Sequence, residues 1–154
     1  INVMLNDIVR PDFLPFIHEK ALKHNMDMSR LVIEFVESSD LDDYTELVHD
    51  TINQLHEWGA KVAIDDFGSG YANFKYLKTL GVDILKIDGS LISNLDESES
   101  DKAIVGAIAQ MARNLKIDTI AEFVENQAIQ DLVCELGIEW SQGYHFSKPA
   151  LIEI

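Results

Sequence analysis

The residues best suited to chemistry sit where apolar runs stop. Val62-Ala63-Ile64 ends at two adjacent acids, Asp65 and Asp66. Ile84-Leu85 ends at Lys86, with Ile87 and Asp88 behind it. Glu34 interrupts the run LVIEFV, Glu122 follows Ile117 to Ala121, and Gln142 follows Ile138 to Ser141. Asn2 lies in the opening Ile1-Asn2-Val3. Four carboxylates gathered in one volume would repel one another and drive their pKa values up unless cations were present. Oxygen ligands from Asp, Glu and Asn suit Mg²⁺ or Mn²⁺. Adjacent Asp65 and Asp66 can serve two ions, as in two-metal phosphodiester chemistry. Lys86 would then orient a nucleophilic water or stabilise developing phosphate charge. Taken alone, the Asp pair reads equally well as a helix cap or a solvated turn. An acid inside an apolar run such as LVIEFV is unusual, because a buried carboxylate is costly unless it is paired or binds a metal; the alternative for Glu34 is an edge strand on which it faces water.

Whether these residues meet depends on the elements between them. Val62 to Ile92 reads as strand, glycine-containing loop (Gly68-Ser69-Gly70), helix (Phe74, Leu77, Leu80) and strand. Before it, Ile1 to Val3 reads as the end of a strand. A helix with Phe13, Phe16, Ile17 and Ala21 on one side runs from Pro11 to about Asn25. Leu31 to Val36 is the next strand. Asp43, with Glu46 three residues on, predicts a capped helix whose stripe is Leu47, Val48, Ile52, Leu55 and Trp58, closed by Gly59. After the central unit comes a polar loop over 96–101. Ile104, Val105, Ile108, Met111, Ala112 and Leu115 then mark a helix of ordinary core packing. Asn126 is expected to cap the last helix, which Gly137 closes. Five strand–helix repeats and a final strand argue for an α/β fold with a parallel sheet. In a (β/α) barrel the carboxyl ends of the strands build the active site.

The chain has 154 residues, 47% of them hydrophobic, enough for one globular domain. Its formal charge of −15 disfavours nucleic-acid polymers and anionic membranes, but not a small anionic substrate held through cations. The single Cys134 excludes an internal disulfide and reads as a core residue of the last helix. No apolar run is long enough to span a membrane. The five histidines lack zinc spacing and read as structural, with His145 alone near the proposed site.

Four blocks in order, IEFVES, IDDFGSGYANFKYLKTLGVDILKID, TIAEFVEN and SQGYHFSKP, resemble the signature blocks of the EAL domain family. Members of that family are bacterial phosphodiesterases that hydrolyse cyclic di-GMP to linear pGpG on a modified TIM barrel. The resemblance covers nearly the whole chain and implies a TIM-like (β/α) barrel of EAL type. It implies that Asn2, Glu34 and Asp65 bind a first metal, and that Asp65 bridges to a second completed by Asp66 and Glu122. Lys86 and Gln142 would position the attacking water and, with Asp66, contact the substrate. Glu37 would hold the Gly68-Ser69-Gly70 loop in its active shape. The implied cofactors are two Mg²⁺ or Mn²⁺ ions and the implied partner is cyclic di-GMP, in the cytoplasm, with a homodimer as one assembly state. The parent protein could be membrane-anchored through other regions.

Three departures qualify this expectation. The Glu-Ala-Leu motif and its strand are absent, so about six of eight strands are expected, with about 100 residues of a complete barrel missing on the N-terminal side. AEFVE stands where AEGVE is commoner, which puts Phe123 beside Glu122 and reshapes the pocket wall. DFGSG stands for DFGTG, one hydroxyl for another. Residues 1–154 alone are therefore expected to be inactive and self-associating, with open sheet edges. Two further readings stay open: a cyclic di-GMP receptor that binds without cleaving, and a different two-metal barrel hydrolase, against which the DFGSG loop argues.

Overall fold

The computed structural model describes residues 1–36, 44–70 and 74–151. The chain divides into two compact units, Ile1–Leu85 and Lys86–Ile154, with the division inside one strand. Six strands follow one another in the sheet in chain order. That order, with helices between parallel strands, is the α/β class expected from the sequence.

The first unit runs β1 (Asn2–Val3), α1 (Leu5–Ile8), α2 (Phe13–Lys23), a 3-10 turn (Met28–Arg30), β2 (Val32–Val36), α3 (Thr45–Glu57), β3 (Lys61–Phe67), α4 (Phe74–Thr79) and the start of β4 (Ile84–Ile87). The helix expected from Pro11 begins at Phe13, and Pro15 falls in its first turn, where no intrahelical N–H bond is lost. It buries Phe13, Ile17 and Ala21, a stripe of spacing four. Phe16, expected on that side, is exposed, because it stands 100° around the helix from Ile17; Lys20 lies over its ring. In α3 the stripe is Val48, Thr51, Ile52 and Leu55. Leu47 was expected in it but faces outward, and Trp58 is half-buried and stacks on His18. Asp43 lies outside the described residues, and Tyr44 occupies the cap position without a side-chain bond. Gly59, at φ +88°, closes α3 in the left-handed conformation that a side chain disfavours. Glu34 does not lie on an edge: β2 pairs with β1 on one side and β3 on the other.

The second unit contains the end of β4, α5 (Gly89–Ile92), α6 (Glu99–Leu115), β5 (Asp118–Ala121), α7 (Gln127–Glu135) and β6 (Trp140–Ser141). Asp88, Ser98 and Asn126 cap the three helices by accepting from Ser90, Asp101 and Ile129 backbone N–H groups. Because Ser98 caps α6, the acidic segment expected to be loop is already helix from Glu99. This helix buries Val105, Ile108, Ala109 and Ala112, while Ile104 and Leu115 are exposed. Cys134 is exposed, not a core residue as expected. The buried stripe of α7 is Ile129 and Val133, and Cys134 falls one position off it, 3.1 Å from Gln130 Nε2.

An acid immediately before a strand ties down the start of the preceding strand in both units. Asp83, before β4, accepts the Val62 N–H at 2.8 Å, and His56 Nε2 lies 2.8 Å from the same oxygen. Glu139, before β6, accepts the Thr119 N–H at 2.9 Å and the Thr119 hydroxyl. Burial alone would raise the pKa of Glu139, but these bonds from Thr119 outweigh it and hold the carboxyl below its ordinary range.

Candidate active site

In the first unit, strand register decides which polar side chains can meet. Asn2 pairs with Glu34, so their side chains leave the same face of neighbouring strands about 4.8 Å apart. Val36 pairs with Asp65, and Val36 shares the face of Glu34 by alternation. Asn2, Glu34 and Asp65 therefore leave one face, while Ile33 and Phe35 are buried on the other. Asn2 is exposed, and Glu34 and Asp65 are half-buried.

A regular strand would send Asp65 and Asp66 to opposite faces. Asp66 instead has φ +55°, a left-handed value that breaks the alternation. As a result, the two side chains present carboxylate oxygens within 4.8 Å of each other. Carboxylate oxygens this close are of the type that could hold a hard divalent cation. Glu37 lies outside the described residues.

In the second unit, three strand ends deliver one cluster. Lys86 comes from β4, Glu122 follows β5 and Gln142 follows β6. Lys86 Nζ lies 2.9 Å from Glu122 Oε1, and Gln142 Nε2 donates to the same oxygen at 2.6 Å. The side chains of Lys86 and Glu122 are only 8% and 7% exposed, so this ion pair is screened far less than a surface pair. Backbone bonds hold the cluster in place. Glu122 N–H donates to Ile87 O at 3.2 Å, Gln142 N–H to Ala121 O at 2.9 Å and Val124 N–H to Gln142 O at 3.0 Å. Gly143 permits this close approach, since a Cβ there would fall 2.2 Å from Val124 O. The arrangement can hold a carboxylate ionised with a cation beside it, and Gln142 can orient a polar group against both.

Beside the cluster opens a cavity of about 550 Å³ lined by Phe123, Gln142, Tyr144 and Phe146, among others. Sequence reasoning noticed Phe123 as a substitution but missed its backbone, which lies at φ +53°. It also missed Gly89, on which the Phe123 ring rests; the only signal was the small residue after KID. The His145 backbone N–H donates to Val124 O, and its ring packs edge-on to Phe146.

The EAL domain family profile matches residues 1–149. Cyclic di-GMP phosphodiesterase PdeA of Borreliella burgdorferi is 36% identical over 149 residues, which are 97% of this chain and 22% of that protein. The chain thus spans about a fifth of the length of the curated relatives it matches. The solved EAL domain of Mycobacterium smegmatis DcpA superimposes with a TM-score of 0.92 at 33% identity, over 98% of this chain and 67% of that one. Klebsiella pneumoniae BlrP1, solved as a calcium and cy-diGMP complex, superimposes with a TM-score of 0.85 at 26% identity, over 94% of this chain and 36% of that one. The fold is the EAL-type (β/α) barrel fold, with six of its parallel strands in this chain.

Proposed function

The chain belongs to the EAL domain family, and we propose that it is the larger part of a catalytic domain hydrolysing cyclic di-GMP to linear pGpG. The observation that carries the reading is the buried Lys86–Glu122 pair, joined by the exposed Gln142, built from three successive strand ends. A domain that only bound a nucleotide would have little use for an ion pair withdrawn from solvent, because a buried pair contributes little net stability.

In this proposal Asn2, Glu34 and Asp65 hold one divalent ion, and Asp65, Asp66 and Glu122 a second, of Mg²⁺ or Mn²⁺. When bound, the ions supply Lewis-acid polarisation of the phosphate and activation of water. The chain's own residues do the rest. Asp66, Lys86 and Gln142 contact the substrate. Lys86 places positive charge where the phosphate gains negative charge. Gln142 fixes the orientation of the attacking water through its amide. Glu37 supports the loop at Gly68-Ser69-Gly70.

The test is the full-length protein with Mg²⁺ and cyclic di-GMP, with products separated by chromatography. Metal-dependent appearance of pGpG is expected. Tight binding without pGpG would replace this reading with that of a receptor.

A further inference from the structure

Phe123 occupies a backbone conformation that suits glycine. At φ +53° its Cβ crowds the main chain, a strain that persists only where the surroundings impose it. Both neighbours are pinned: Glu122 N–H to Ile87 O, and Val124 N–H to Gln142 O. The side chain is also committed. Gly89, the buried first residue of α5, lies directly under the ring. A Cβ on Gly89 would stand 2.3 Å from Phe123 Cδ2, 2.6 Å from Cγ and 2.9 Å from Cβ. The last contact reaches the root of the side chain, so turning the ring alone would not clear it. The other side of the ring is free, with Phe123 58% exposed on the cavity beside Gln142.

Gly89 stands three residues after Lys86, and Phe123 one residue after Glu122. The ring therefore sits between the two segments whose charged side chains meet at 2.9 Å. We propose that Phe123 is a positioning residue: packed on Gly89, it sets the spacing of the β4 and β5 ends and keeps Glu122 in register with Lys86. A glycine at position 123 would satisfy the backbone but would leave the Glu122 turn free to swing. In this chain the ring fixes it, at the expense of local strain.

The consequence for catalysis rests on the proposed phosphodiesterase activity; the consequence for Lys86 does not. The test uses the full-length protein as Gly89→Ala, Phe123→Gly and the double variant. One readout is acylation of Lys86 by a water-soluble active ester, followed by peptide mass spectrometry. Lys86 is 6% exposed and should react slowly in the parent. Gly89→Ala should speed its labelling at least tenfold by displacing the ring. Phe123→Gly should also label faster than the parent, because the ring no longer holds the turn, and the double variant should match Phe123→Gly within threefold, because the clash is gone. Where turnover is measurable, Gly89→Ala should lower kcat at least tenfold with KM changed less than threefold, and Phe123→Gly and the double variant should share one kcat below the parent's; a Phe123→Gly kcat equal to the parent's overturns the positioning role. Unchanged labelling in a folded Gly89→Ala variant overturns the proposal. Should Gly89→Ala fail to fold, a folded double variant supports the proposal and an unfolded one overturns it. Labelling as expected but no pGpG from the parent would leave the positioning role standing and remove only the enzymatic reading.

Discussion

Replacing Lys86 with methionine should measure what the buried pair contributes, and its magnitude can be worked out in advance. Methionine keeps an unbranched apolar stem, so packing changes little and the main loss is the ammonium beside Glu122. The Glu122 carboxylate would remain 7% exposed and charged, with Gln142 still donating at 2.6 Å. Removing one partner of such a pair destabilises by about 3–5 kcal/mol. The carboxyl has an escape, because it can take up a proton. At pH 7, protonating a group of ordinary pKa about 4.3 costs about 3.7 kcal/mol, which caps the loss from this pair. The cap falls by about 1.4 kcal/mol per pH unit, to about 1 kcal/mol at pH 5.

The sign follows from linkage. In the variant, the folded-state pKa of Glu122 would lie above its unfolded value. The folded state then binds more protons, and stability falls as pH rises between the two values. The loss should therefore be about 3–4 kcal/mol at pH 7 and about 1 kcal/mol at pH 5. Urea denaturation of parent and variant at both pH values, with a chelator present to exclude metal effects, gives the difference directly. A loss below about 1 kcal/mol at pH 7, or one that does not change with pH, would refute the claim that this pair is desolvated and unscreened.

Asp65→Asn should lower pGpG formation at least a hundredfold by removing the anionic donor proposed to serve both ions, as followed by product chromatography; turnover within a few-fold of the parent would remove the two-ion proposal. Ca²⁺ should compete with Mg²⁺ and inhibit, since its longer bonds and higher coordination number spoil an octahedral site, and equal rates with Ca²⁺ would contradict this. Glu139→Gln should cost about 1–2 kcal/mol near neutral pH through its weaker bonds to Thr119. Because the Glu139 pKa is lowered on folding, its stabilisation is present above the ordinary carboxylate range and is lost as pH falls through the folded value, so the Glu139→Gln difference should shrink on acidification in a thermal-unfolding series.

Much of this architecture is legible in the chain because strand ends coincide with changes of chemistry. Apolar runs stopping at Asp65, Lys86 and Glu122 mark both the limit of burial and the start of the polar edge. Helix caps at Asn126 and closures at Gly59 and Gly137 are legible for similar reasons, since each depends on one residue type. Stripe membership is less secure. Phe16, Leu47, Ile104 and Cys134 each lie one position away from a buried neighbour, and hydrophobicity alone does not resolve a 100° step. The left-handed turns at Asp66 and Phe123 are hardly legible. Phe gives no sign of φ above zero and Asp only a weak one, and the Phe123 turn is held by packing on Gly89 from another segment.

Those two turns point to a common device. Asp66 follows Asp65 and Phe123 follows Glu122, so each left-handed residue comes directly after a proposed metal ligand. In each case the backbone stops alternating where the ligand stands, and the strand end is re-aimed as it would be by a bulge. Acids at the opposite ends of the strands show the contrast. Asp83 and Glu139 precede their strands, and spend their oxygens on Val62 and Thr119 N–H groups. An acid before an apolar run is thus free to clamp backbone, whereas one after it meets the edge where barrel chemistry is done. Asp88 sets the limit of that rule, because it follows β4 yet caps α5 through Ser90. What separates Asp88 from Asp65 and Glu122 is the next residue's conformation: Gly89 continues into a helix whose N–H groups need a cap, while Asp66 and Phe123 turn left-handed and leave the preceding carboxylate for the site.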